Sequence, residues 1–531
     1  MKTPSLRPAP LRSQMSTRLN GVVLSSFVIL VSSFAVRADV SLPSLFSDHM
    51  VLQRAVPAPV WGTAAPGEEV KVEFGGQTKT TKADEKGKWS VKLDPLPVSF
   101  ESRDLVVTGS APSKNPQRKV SDVLVGDVWL CSGQSNMGFQ VNRADNFEQE
   151  KTEANFPKIR LFTVASGAAV EPQENCRGGW AVCNPTTFAG FSAVGYFFGR
   201  DLHRKLGIPI GLINSSVGGT EIEAWTSLEA QKDVPEVKPT FETWDKKIAS
   251  WNPENAKAQF EKEKVDWQAR ADAAKTAGKP TPRPPGIPTD PKFDSNRPAN
   301  LFNGKIAPLI PFAIKGVIWY QGESNADTVE RGLAYRVELP LMISDWRKRW
   351  GTDFPFAWVQ LPEYTARSSD GWCLVREAML RSLSVPNTGM AIAMGLGNVK
   401  DIHPTHKQEV AQRLADWALN TVYGGKGESS GPLYTGNKID GANVTISFSH
   451  AGGLTSKDGA PKGFVIAGED KQWKPATAKI EGDKVVVSSA EVPHPVAVRF
   501  EWSDHPDFNL YNAAGLPASP FRTDDWPFAA K

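Results

Sequence analysis

The chain has 531 residues, 40% hydrophobic and 22% charged, the profile of an ordinary globular protein long enough for roughly three domains of about 150 residues each. Its 61 Lys and Arg against 58 Asp and Glu leave a net charge of +3, too balanced to recruit nucleic acid or an anionic membrane by charge. The 4 cysteines show no C-x-x-C spacing and no His/Cys cluster, so no zinc site is indicated; separately, no other metal and no cofactor are expected.

Residues 1–38 read as a signal peptide. Lys2, Arg7, Arg12 and Arg18 precede the apolar stretch Gly21 to Ala35, and Val36 with Ala38 suits a cleavage site. The stretch is shorter than the roughly 20 residues a spanning helix needs. A secreted or periplasmic protein beginning near Asp39 is expected, with no stable membrane insertion after cleavage; an uncleaved anchor is the alternative.

Residues 39–119 carry short β runs, Ala58 to Gly62, Glu69 to Phe74 and Lys88 to Val91, broken by Pro66-Gly67, Gly75-Gly76 and Glu85-Lys86-Gly87. Such spacing predicts a small accessory β-sandwich. From 120 to 424 strands and helices alternate. Buried strands are expected at Val123–Leu130, Ile208–Ile213, Ile314–Tyr320, Phe356–Val359 and Gly389–Met394, with helices such as Val194–Lys205 and Leu333–Trp350 between them. That alternation predicts an α/β fold with a doubly wound parallel sheet, whose ligands bind beyond the carboxyl ends of the strands.

Two features interrupt this region. Cys176 and Cys183 flank a polar turn and form a candidate disulfide in an oxidising compartment; four free thiols are the alternative. An insertion of about 239–300 places Phe241, Trp244, Ile248 and Trp251 at helical spacing, then a charged Asn255 to Ala277 with a candidate Asp266–Arg270 pair. Pro280 to Pro288 then reads as an extended tether returning to the core near Asn303. A surface excursion is favoured over a lid. After 425, β runs at Val444–Phe448, Lys462–Ile466, Lys484–Ser488 and Val496–Trp502 predict a second sandwich through 531. The 17 tryptophans lean weakly towards a sugar-binding cleft, most being expected in the core.

Four loops follow the strands of the α/β region and carry the chemistry. Ser135 sits in Gly133-Gln134-Ser135-Asn136-Met137, which departs from G-x-S-x-G at its last position and so counts against the α/β-hydrolase fold. Asp401-Ile402-His403-Pro404 offers an imidazole and a carboxylate. A serine nucleophile needs a base to take its proton and a group to orient that base. Being two residues apart, Asp401 and His403 can face one another only across a bend, which Pro404 favours; His406 is a rival base. Gly218-Gly219 offers backbone N–H groups to a developing oxyanion, and Gln321 or Asn325 offers a side-chain amide. The plainer alternative makes Ser135 and Asp401 helix caps, His403 a surface residue and the other loops ordinary turns.

The segments at 133–137, 218–225 (Gly-Gly-Thr-Glu-Ile-Glu-Ala-Trp), 319–325 (Trp-Tyr-Gln-Gly-Glu-Ser-Asn) and 401–404 resemble the sialate O-acetylesterase family, a branch of the SGNH (GDSL-like) hydrolases. The likeness extends to Ser41–Arg54 and Asn509–Thr523, so it covers nearly everything after the signal except the insertion. The resemblance implies an SGNH-type domain at 120–424, with Ser135 as nucleophile, His403 as general base and Asp401 as its orienter. It also implies an oxyanion hole from the Ser135 amide, a Gly218 or Gly219 amide and an amide side chain, supported by Gln134 and Glu323. The superfamily places its Asn two residues after a Gly, whereas Asn325 stands three after Gly322, so Gln321 stays open beside it. The expected function is an exported carbohydrate O-acetylesterase acting on an O-acetylated saccharide, sialate or a plant or microbial glycan. A general or lipid ester hydrolase on the same fold and a non-catalytic carbohydrate-binding protein are the rivals. Oligomeric state stays open.

Overall fold

The computed structural model describes residues 39–110 and 116–528; the expected signal peptide lies outside them. One strand of 17 residues, β1 (Gln117–Gly133), takes part in two sheets. Its first half pairs antiparallel with Ser99–Gly109, and its second half lies in the middle of a parallel sheet. The change shows in burial: exposed and half-exposed positions near Gln117 give way to an unbroken buried run from Val123, as a strand covered on both faces requires.

The central sheet adds β2 (Phe156–Thr163), β3 (Trp180–Cys183), β4 (Ile210–Ser216), β5 (Gly316–Tyr320), β6 (Phe356–Gln360) and β7 (Thr388–Ile392). Their order is β7-β6-β5-β1-β4-β2-β3, parallel throughout except for β3 against β2. The mixed α/β architecture with flanking antiparallel sheets agrees with expectation. β2 and β3 were not foreseen, nor was the helix Ser369–Arg381. β2 opens Phe-Pro-Lys, which hides its apolar second half from a search for continuous runs.

The long helices have the termini their sequences call for. Ser192 caps Ala193–Leu206 by accepting the Gly195 N–H, and Gly207 ends it at φ 65°. Thr328 does the same for Val329–Trp350. The N-terminal β region and the α/β region share one continuous core, joined through β1, which pairs with strands of both. The C-terminal β region has its own core, built around Val444, Ile446, Val485, Val487 and Phe500. It is joined to the α/β region by polar contacts, Arg376 to the Ser503 carbonyl (2.7 Å) and Gln360 to Ser519 (2.9 Å) among them.

Two expectations are corrected. Cys176 and Cys183 are free and buried, as are Cys131 and Cys373; burial pushes the Cys183 thiol up to about 12 and that of Cys176 to about 11. Arg270 reaches the backbone carbonyl of Asp266 (3.3 Å) instead of its carboxylate. Many of the tryptophans are core residues, as expected: Trp129, Trp225, Trp319, Trp346 and Trp358 are fully buried, and Trp225, Trp319 and Trp346 meet edge to face at 5.8 and 5.9 Å. The insertion forms two helices, Lys238–Ala249 and Pro253–Thr276. Only Ala271 of the second is buried.

Candidate active site

Strand register brings the loops together. Ser132 of β1 is level with Ser215 of β4 on one side and Trp319 of β5 on the other, so the three following loops leave the sheet side by side. Gly133 makes this possible: its φ is 137°, and an added Cβ would lie 2.1 Å from the Tyr320 carbonyl oxygen. Backbone bonds then fasten the strand ends, Gln134 N–H to Tyr320 O (2.9 Å) and Val217 N–H to Gly133 O (3.1 Å). Ser135 opens a single helical turn, Ser135–Gly138, and stays half-buried. Gly218 lies against it, for a Cβ there would stand 3.3 Å from the Ser135 Cβ.

His403 reaches this serine from the far side of the sequence. Its Nε2 is 2.8 Å from Ser135 Oγ. Its Nδ1 is 3.6 Å from Asp401 Oδ1, longer than a hydrogen bond, while the same oxygen accepts the His403 backbone N–H at 2.9 Å. Asp401 thus holds the bend and acts on the ring by charge. The rival His406 turns away and pairs with Asp145 at 2.8 Å. Burial lowers the His403 pKa from its ordinary 6.5, with Lys407 and Arg143 acting in the same direction and Asp401 against it. The imidazole is therefore biased to the neutral form a general base needs.

Behind the pair lies a buried polar network. Asn136 donates to Glu323 Oε1 (2.5 Å) and to the Ile402 carbonyl (2.9 Å), and accepts from Lys407 Nζ at 2.6 Å. One side chain next to Ser135 thus grips the loop that carries His403. Burial raises the Glu323 pKa and brings Lys407 down to about 7. With its amide turned to satisfy its neighbours, Gln134 donates to Glu323 Oε2 (3.1 Å) and the Thr220 carbonyl (3.2 Å). Asn136 and Lys407 were not singled out in the sequence. Asn136 stood inside the nucleophile motif, but Lys407 gave no signal beyond opening the helix Lys407–Trp417.

Gln321 and Asn325, the two candidates for a side-chain oxyanion donor, are placed elsewhere. Gln321 Nε2 donates to Thr220 O (3.0 Å) and Asn325 Oδ1 (2.7 Å). Asn325 Nδ2 donates to Glu223 (2.9 Å) and Glu338 (3.5 Å). Both are fully buried, and each amide nitrogen is already engaged twice. They tie the loops after β4 and β5 together, and neither nitrogen is left with a free N–H. The N–H groups of Ser135 and Gly218, by contrast, have no acceptor among the described residues.

Residues 125–250 and 302–420 match the SASA family, described as carbohydrate esterase, sialic acid-specific acetylesterase; the gap falls across the helical insertion. The sialate O-acetylesterase of Mus musculus is 30% identical over 531 aligned residues, covering 90% of this chain and 93% of that protein. That of Rattus norvegicus is 31% identical with the same coverage. A carbohydrate acetylesterase from Xanthomonas citri, solved as a crystal structure, is 36% identical with a TM-score of 0.77, covering 92% of this chain and 100% of that one. With identity of this level along almost the whole length, and with the motif loops meeting at one sheet edge, the chain belongs to the sialate O-acetylesterase family.

Proposed function

We propose that this protein removes acetyl groups from sugar hydroxyls through an acyl-enzyme on Ser135. The observation that carries the reading is the 2.8 Å contact between His403 Nε2 and Ser135 Oγ. His403 takes the hydroxyl proton as Oγ attacks the acetyl carbonyl. The resulting oxyanion is met by the Ser135 and Gly218 N–H groups, which act without having to reorganise. Collapse breaks the ester bond, and the imidazolium returns its proton to the departing sugar oxygen. Water then attacks the acetyl-serine, giving its proton to His403; the carbonyl–Oγ bond breaks, the imidazolium returns the proton to Ser135 Oγ, and acetate leaves. Asp401 favours the imidazolium formed in each step.

The proposed substrate is an O-acetylated saccharide, sialate or another glycan, and the proposed site of action lies outside the cytoplasm, on the strength of the N-terminal sequence. No helix among the described residues is long and apolar enough to cross a membrane.

The test is acetate release from a panel of O-acetylated sialosides, xylans and xyloglucans, beside 4-nitrophenyl esters of short and long acyl chains. Turnover of acetylated sugars by wild type, lost in Ser135→Ala, is the expected result. Preference for long acyl chains would replace it with a lipid esterase. Sugar binding without release would replace it with a binding protein.

A further inference from the structure

The loop offering Gly218 has two glycines and little of its own with which to hold its peptide planes; Gly219 sits in the left-handed region at φ 69°. Gln134 and Gln321 hold the Thr220 carbonyl, and two further side chains fix the planes on either side of Gly218 and Gly219, one from inside and one from the insertion. Inside, Thr220 Oγ1 donates to the Val217 carbonyl at 2.8 Å and accepts the Trp225 indole N–H at 3.0 Å. Thr220 and Trp225 are both fully buried. The Val217 carbonyl and the Gly218 N–H belong to one planar trans peptide, so fixing the carbonyl fixes the opposite direction of the N–H. From outside, Asn296 donates through Nδ2 to the Gly219 carbonyl (2.9 Å) and accepts the Glu221 N–H at Oδ1 (2.9 Å).

Asn296 is itself held. Its N–H donates to Asp294 Oδ1 at 2.8 Å, and the carboxylate of Asp294 meets Lys247 of the insertion's first helix at 3.5 Å. Farther along the same limb the Ala299 N–H donates to Glu223 O at 3.0 Å. The returning limb of the insertion is therefore fastened to both ends of the 219–223 segment.

We infer that Thr220 and Asn296 are positioning residues that lock the peptide planes of the 217–221 loop, so that the Gly218 N–H is aimed at the oxyanion before substrate arrives. The inference rests on Gly218 as an oxyanion donor. It makes the base of the insertion part of the catalytic apparatus, whatever its exposed helices do.

The experiment compares wild type with Thr220→Val, Thr220→Ser, Asn296→Ala and Ser135→Ala, using 4-nitrophenyl acetate and an acetylated glycan, with thermal unfolding as a check on folding. Misdirecting a catalytic donor without deleting it is expected to lower kcat roughly 10²-fold. That loss is expected in Thr220→Val, a smaller one in Asn296→Ala, with KM nearly unchanged in both. Thr220→Ser, which keeps the hydroxyl, should recover most of the rate. The pH dependence of kcat/KM should not move, since His403 is untouched. Folded Thr220→Val and Asn296→Ala enzymes with wild-type kcat, or a loss confined to KM, would overturn the inference while leaving the nucleophile in place. If Thr220→Val fails to fold, the partly exposed Asn296 decides alone. Full activity in Ser135→Ala would remove the site reading itself, and the clamp with it.

Discussion

Ser135 and His403, the proposed nucleophile and base, stand on supports of opposite kind. Ser135 follows the buried half of β1 and is fixed by backbone bonds on both flanks. His403 lies on an irregular loop, 33% exposed, and its carboxylate partner Asp401 is 61% exposed. That loop is held mainly from behind and from its ends. Asn136 takes the Ile402 carbonyl, and Glu363 accepts the N–H groups of Gly395 (2.6 Å) and Gly397 (3.1 Å). The Thr365 N–H donates to Val399 O at 3.0 Å. The contrast teaches that placement of the base owes more to buried amide and carboxylate contacts than to the visible Asp–His pair. An exposed ion pair contributes little, whereas a buried polar group deprived of its partner is costly.

Breaking the nucleophile side should have the largest effect. Ser135→Ala and His403→Ala are each expected to lose about 10⁴-fold or more in kcat, measured as acetate release, since the pair acts as a unit. The next largest effect tests the support from behind. Asn136→Ala frees the Ile402 carbonyl and leaves Glu323 and Lys407 without their common partner, so roughly 10²-fold in kcat and about 1–3 kcal/mol of stability should be lost. Chemical denaturation and kinetics together check both. Asp401→Ala should cost only about tenfold, the scale of an exposed pair contributing about 1 kcal/mol. A thousandfold loss there would reverse the comparison and make the carboxylate the principal orienter.

The smallest effect concerns pH. Because burial lowers the His403 pKa, kcat/KM should rise with pH and level off, with its midpoint below 6.5. Lys407→Met removes a positive neighbour that lowers the same pKa, so its midpoint should move upward. A midpoint that stays put would uncouple the buried network from the base.

How much of this was legible in the sequence follows from the range of the forces involved. The expected strands of the parallel sheet and the long helices announce themselves by continuous apolar runs and by caps such as Ser192 and Gly207. These preferences are settled within a few residues. Ser135, Gly218 and the Asp401–His403 bend stood out for the same reason, as polar turns directly after buried strands. β3 and the strand half of β2 were lost because one was short and the other began with Pro157 in reach of solvent.

The sequence by itself determined the fold class, the four loops and the residue types they bring to the strand ends. Tertiary structure alone decided which side chains face Ser135: it set His403 against it and His406 against Asp145. It likewise withdrew Gln321 and Asn325 into the supports, enlisted Lys407, and made Asn296 a neighbour of Gly219. Backbone preference is local, but a hydrogen-bonding side chain in a buried site chooses among acceptors supplied by distant loops. That choice exists only once packing has brought those loops together.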